Sequence, residues 1–153
     1  MFEGRRKRHS FISILVMVFI FVHSAMPGDL SSAESNIIVR FIALMVEVDS
    51  DFLGFLVRKM AHFTEYAVLG ACLQVNVKDW MSLYNKKISS LRQVTIAWML
   101  GTIYAVTDEF HQQFVPGRAC AFLDVCIDSF GVLIGTIVVV VIFRFVCAKI
   151  QER

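Results

Sequence analysis

The chain has 153 residues, of which 57% are apolar and only 18% charged, with a mean hydropathy of +0.66. A soluble domain carries about 25% charged residues, so this composition points to lipid as the solvent. The net charge of +2 suggests no nucleic-acid partner, and no zinc-finger spacing, phosphate loop or dinucleotide fingerprint is present.

The first apolar run covers about residues 10–26, behind Arg5, Arg6, Lys7 and Arg8. It is short for a membrane-spanning helix of about 17–25 residues. A basic start and a short apolar core also describe a cleaved signal peptide. An uncleaved anchor is the preferred reading, because Ser10 extends the helix and no clean small-residue cleavage motif follows.

Residues 27–35 are polar and rich in turn formers. Over residues 36–48, Ile37, Phe41, Leu44, Met45 and Val48 fall on one helical face, and Asn36, Arg40 and Glu47 on the other. That spacing predicts an amphipathic helix lying in the membrane interface or packed on the bundle.

Three further spans are predicted at about residues 59–77, 91–110 and 121–147. The last is the longest and is expected to tilt or emerge from the bilayer. Pro116-Gly117 marks a tight turn before it. The amino end, the loop with Lys78, Lys86, Lys87 and Arg92, and the carboxyl end with Arg144, Lys149 and Arg153 carry most of the basic residues. With four spans all three segments fall on one side, which the positive-inside rule makes cytoplasmic. The expected fold is therefore all-α: one membrane domain, a four-helix transmembrane bundle with an interfacial helix, both termini cytoplasmic, in the bacterial plasma membrane. Cys72, Cys126 and Cys147 lie within apolar runs and read as small buried hydrophobes, while Cys120 is expected on the outer side.

This topology brings separate polar pieces to one depth. Arg58, His62, Glu65 and Tyr66 start the second span. Asp108, Glu109, His111 and Gln112 end the third, Arg118 follows in the loop, and Asp124 and Asp128 open the fourth. Helical spacing places His62, Glu65, Tyr66 and Leu69 on one face, Gly101, Ala105, Asp108 and His111 on a second, and Asp124, Asp128, Gly131 and Gly135 on a third. Small residues continue the last two stripes, so these faces are expected to meet inside the bundle. Glu65 then needs a partner such as Arg58, Arg118 or a histidine.

Ionisable groups at membrane depth are costly and usually have a reason to be there. Three readings compete. The first is a structural network that fixes helix register. The second is a ligand site, with Arg58 and Arg118 holding a phosphate or carboxylate. Its further members are His62, Tyr66, Glu109, Gln112, Asp124 and Asp128. The third is catalysis, with Glu65 or Asp108 as general base and His111 as acid. The pairs His62/Glu65 and Asp108/His111 have the i, i+3 spacing by which bundles hold metals, so a divalent metal is conceivable but not favoured. A transporter would need polar residues in the inner half, where Thr95, Tyr104 and Thr136 are about all that spans two to four offer.

Three runs carry a family resemblance. They are Arg58-Lys59-x-x-His62-x-x-Glu65-Tyr66-Ala67-x-Leu69-Gly70, then Asp108-Glu109-x-His111-Gln112-x-Phe114-Val115-Pro116-Gly117-Arg118, and last Asp124-Val125-x-x-Asp128-x-x-Gly131-x-x-x-Gly135. Together they resemble the signatures of the VanZ-like family, which more often has Asn where this chain has Asp128. The resemblance implies a small polytopic bacterial membrane protein with a cell-envelope role that extends to low-level resistance against the glycopeptide teicoplanin. An extracytoplasmic polar pocket would then bind an envelope lipid, a wall precursor or a lipophilic glycopeptide. The alternative is a membrane-embedded hydrolase or transferase acting on such a molecule through Glu65, Asp108 and His111.

Overall fold

A computed structural model of the chain describes residues 2–27, 39, 49–83, 88–118 and 120–151. Among them lie four helices and no strand: α1 (Phe2–Ser24), α2 (Ser50–Leu83), α3 (Ser90–Gln112) and α4 (Phe122–Gln151). The all-helical expectation holds. The predicted helix over 36–48 falls, apart from a buried and helical Val39, outside the described residues.

The helices are longer than the apolar runs that announced them. α1 starts before the basic cluster, α2 begins ahead of Arg58, and α4 continues past Lys149. Hydropathy marks only the apolar part of a helix, whereas backbone hydrogen bonding continues until something breaks it. Both prolines, Pro27 and Pro116, stand between helices, where their missing N–H interrupts no ladder. The Ser89 side chain accepts a hydrogen bond from the Arg92 amide and caps the start of α3.

Among the described residues two helices, α1 from Glu3 to Ser24 and α4 from Phe122 to Gln151, are long and apolar enough to cross a membrane. Interior-facing polar residues such as Glu65, Gln74, Asn76 and Asp108 lower the hydropathy of α2 and α3. Large apolar side chains stand exposed on the outside of the bundle, among them Phe11, Phe19, Ile103, Phe110, Ile142 and Phe145. A water-soluble surface does not leave so many uncovered.

α2 and α4 share the largest interface, and glycine makes it close. A Cβ on Gly131 would meet the Phe63 carbonyl oxygen at 2.5 Å, and one on Gly135 would run into the Ala67 carbonyl. Gly70 faces the Val132 backbone in the same way. The Gly131/Gly135 stripe thus brings α4 onto α2 within the bundle. α1 runs antiparallel to α2: His9 pairs with Asp79 near one end, and His23 with Glu65 near the other. The core is small, built on Ile20, Tyr66, Leu69, Ala105 and Val132.

Candidate functional site

The end of the bundle formed by the finish of α1, the first half of α2, the finish of α3 and the start of α4 gathers most of the buried charge. On α3 a stripe of Ala97, Gly101 and Ala105 continues into Asp108, Glu109 and Gln112, all buried. On α4, Asp128 is 1% exposed and leads into Gly131, Val132 and Gly135. Small residues lower on each helix let the neighbours close in, and the acids above them are consequently enclosed.

Asp108 is the hub. Its Oδ2 accepts hydrogen bonds from Ser24 Oγ at 2.6 Å, Tyr66 Oη at 3.1 Å and Gln112 Nε2 at 3.4 Å. Three helices therefore meet on one oxygen, a number of donors suited to a buried carboxylate. Its Oδ1 is buried with no hydrogen-bond partner. Glu109 points the other way. Its Oε2 accepts from the Ala121 amide at 3.2 Å, at the position just before α4, where a carboxylate satisfies a free N–H and suits the helix dipole. Asp124, in the first turn of α4, pairs with Lys59 of α2.

Glu65 finds a histidine, as its burial required, but one from α1: His23 Nδ1 lies 2.7 Å from Glu65 Oε1. The His23 and His62 rings stack with centroids 6.0 Å apart. His62 sits among Glu65, Arg118, Asp108 and His23. Arg118 donates from Nη1 to His62 Nε2 at 3.3 Å and to Gln112 Oε1 at 3.4 Å. It also donates to the Met26 carbonyl at 3.2 Å and the His23 carbonyl at 3.5 Å. Those carbonyls end α1, so Arg118 caps the negative pole of that helix. A turn sets its position: Gly117 takes φ 75° behind Pro116, and the Arg118 amide donates to the Val115 carbonyl at 3.1 Å. Proline then glycine is the order a type II turn requires.

Buried atoms at this end without a hydrogen-bond partner include Glu65 Oε2, Asp108 Oδ1, His111 Nδ1 and Asp128 Oδ2. Buried polar atoms left this way mark a place that something else can satisfy. Among the described residues no three His, Cys, Asp or Glu side chains converge as a metal would need.

The predicted site residues arrive together with some changes of role. His62, Glu65, Tyr66, Asp108, Gln112 and Arg118 form one connected network. Asp128 lies buried beside it, and Glu109 and Asp124 serve the start of α4. Arg58 is half-buried, with its guanidinium beside Gly54. His111 does not join the buried stripe; its ring packs on Phe21 at 4.4 Å, and Gln112 takes the inward position. The helix turns 100° per residue, so a one-residue difference decides which of two adjacent polar groups faces in.

Sequence reasoning missed α1 altogether as a source of site residues. His23 and Ser24 close an otherwise apolar run, and their polarity at its end was the available signal. It also understated the far end. There Asn76 donates to Ser13 Oγ and to the His9 carbonyl at 3.2 Å, Ser10 Oγ donates to Asn76 Oδ1 at 3.0 Å, and His9 meets Asp79 at 2.7 Å. Polarity at the far end is therefore not limited to Thr95, Tyr104 and Thr136. Cys126 and Cys147 are exposed rather than buried, and Cys72 is half-buried.

A family model described as VanZ/LLP1 matches residues 10–144. The chain belongs to the VanZ/LLP1 family. That match takes in α2 and α3 whole, most of α1 and α4, and every residue of the polar site. No curated protein and no solved structure matches the chain significantly.

Proposed function

We propose that this VanZ-like chain crosses the bacterial plasma membrane four times, with both termini in the cytoplasm. We place its polar site at the outer face, where it binds the head of an envelope amphiphile. The basic residues at the amino end, after α2 and at the carboxyl end support that orientation. The observation that carries the binding role is the set of buried acids and imidazoles from four helices, with Glu65 Oε2, Asp108 Oδ1 and Asp128 Oδ2 left without a hydrogen-bond partner. A network built only for register would satisfy its own atoms. A head with hydroxyl or amine groups supplies the missing donors. Envelope lipids, wall precursors and lipophilic glycopeptides all present such heads at that depth. Interception of a teicoplanin-like drug there would give low-level resistance.

A second reading has one specific support. A carboxylate fixed on an imidazole, as Glu65 is on His23, is how general bases are oriented. A membrane-embedded hydrolase or transferase with His62 or His111 completing the site follows from that pair.

Native mass spectrometry of the purified protein separates these. A bound amphiphile that survives purification and falls away in His62→Ala supports binding. An altered lipid product that appears only with the wild type supports catalysis. Unchanged teicoplanin susceptibility on expression in a sensitive bacterium removes the resistance role. A wild type that carries nothing and changes nothing removes both.

A further inference from the structure

We infer that the groove between α1 and α2 seats one acyl chain of the amphiphile whose head occupies the polar site. This rests on the binding reading above and names the class of ligand: a lipid with an amine- or hydroxyl-bearing head.

The groove has a volume of about 300 Å³. Leu15, Val16 and Phe19 of α1 and Val68 of α2 line it, with Thr64 and Glu65 at one end. Because α1 and α2 are antiparallel, Glu65 stands level with His23, so this is the end that meets the polar site. Glu65 Oε1 is held by His23, while Oε2 is buried and has no hydrogen-bond partner. An apolar trough that leads at one end to a polar network holding such a carboxylate fits a molecule of the same polarity profile. It calls for a hydrocarbon chain that ends in a hydrogen-bond donor. Beyond Glu65 the head reaches His62 and Arg118, whose positive charge suits an anionic oxygen. Bilayer lipid that merely wets the protein would not distinguish this trough from the outer face of α4, where Ile142 and Phe145 are exposed away from the polar site.

Two probes in lipid nanodiscs test this: a phosphatidylethanolamine with a photoreactive diazirine in its acyl chain, and hexadecane carrying the same diazirine. Labelled residues are mapped by peptide mass spectrometry. The expected result is labelling by the lipid at Leu15, Phe19 and Val68 about tenfold above Ile142 and Phe145. Val16→Trp, which fills the trough, should lower that labelling about tenfold. Glu65→Gln should reduce the lipid to the level of hexadecane. Leu15→Trp, at a 50% exposed position, gives a second filling variant should Val16→Trp not fold. Even labelling over all apolar faces, or equal labelling of the groove by hexadecane, overturns the inference. If both Trp variants leave groove labelling unchanged, it is also overturned. A head-group complex that persists in either Trp variant by native mass spectrometry would show that the groove assignment alone had failed.

Discussion

His23 Nδ1 lies 2.7 Å from Glu65 Oε1, joining the end of the first helix to the middle of the second. The pair does two things. It anchors α1 against α2, and it holds one oxygen of a carboxylate whose other oxygen lacks a partner. Ser24, the next residue, ties the same end of α1 to Asp108 at 2.6 Å.

α1 is therefore part of the folded bundle, and the mature protein should keep it. Intact-mass measurement on protein purified from membranes should give a species that includes His23 and Ser24. A mass corresponding to cleavage near Ala25 would remove two members of the site and contradict the account.

Ser24→Ala should lower stability by about 1–3 kcal/mol, because a buried hydrogen bond to a charged acceptor is lost. Thermal unfolding in detergent reads this out. Ser10→Ala, which removes a part-buried bond to Asn76 at the far end, should cost less, about 0.5–1.5 kcal/mol.

The helix contact through glycine gives a sharper contrast. Gly135→Ala forces a methyl into the Ala67 carbonyl, with backbone on both sides and no flexible side chain to yield. It should destabilise the bundle by about 1–3 kcal/mol or more. Gly54→Ala meets nothing nearer than 3.7 Å. There the better helix propensity of alanine should leave stability unchanged or raise it by up to about 1 kcal/mol. Melting temperatures of the two variants check the pair of expectations.

Much of this was legible from spacing. Asp108 shares a helical face with Gly101 and Ala105, and Asp128 shares one with Gly131 and Gly135, and both stripes are buried as their periodicity requires. Small residues next to acids identify the inward face, because only there can neighbouring backbones close around them. What spacing cannot supply is the partner across the bundle. Nothing local tells Glu65 to choose His23 over Arg118, since that depends on how far α1 slides along α2. The same holds for Asn76 and Ser13. Arg118 shows the remaining difficulty: nothing local in a loop arginine beside acids says that its turn also aims it at the last carbonyls of α1.

Lys59 and Asp124 pair across α2 and α4 with both side chains largely buried. The destabilisations caused by Lys59→Met and by Asp124→Asn should sum to more than that of the double variant. The coupling should be about 0.5–3 kcal/mol, measured by a double-mutant cycle on thermal or denaturant unfolding. Additive effects would mean the pair does not form.

Orientation can be read from the native thiols. Cys120 is exposed in the loop before α4, at the site end of the bundle. A membrane-impermeant maleimide added to intact cells should label it, while labelling of Cys147 should require permeabilisation. The reverse pattern would turn the site toward the cytoplasm.

The most direct test of the central claim joins assembly and exposure in one measurement. In a chain stripped of native cysteines, His23→Cys and Glu65→Cys are introduced together, and a short, impermeant, bifunctional thiol reagent is added outside intact cells. The account predicts an intramolecular cross-link at this pair, and none when Ser13→Cys and Asn76→Cys are paired at the far end. Failure of the first pair to cross-link, or cross-linking only at the second, would contradict a polar site assembled by α1 and α2 and open to the cell exterior.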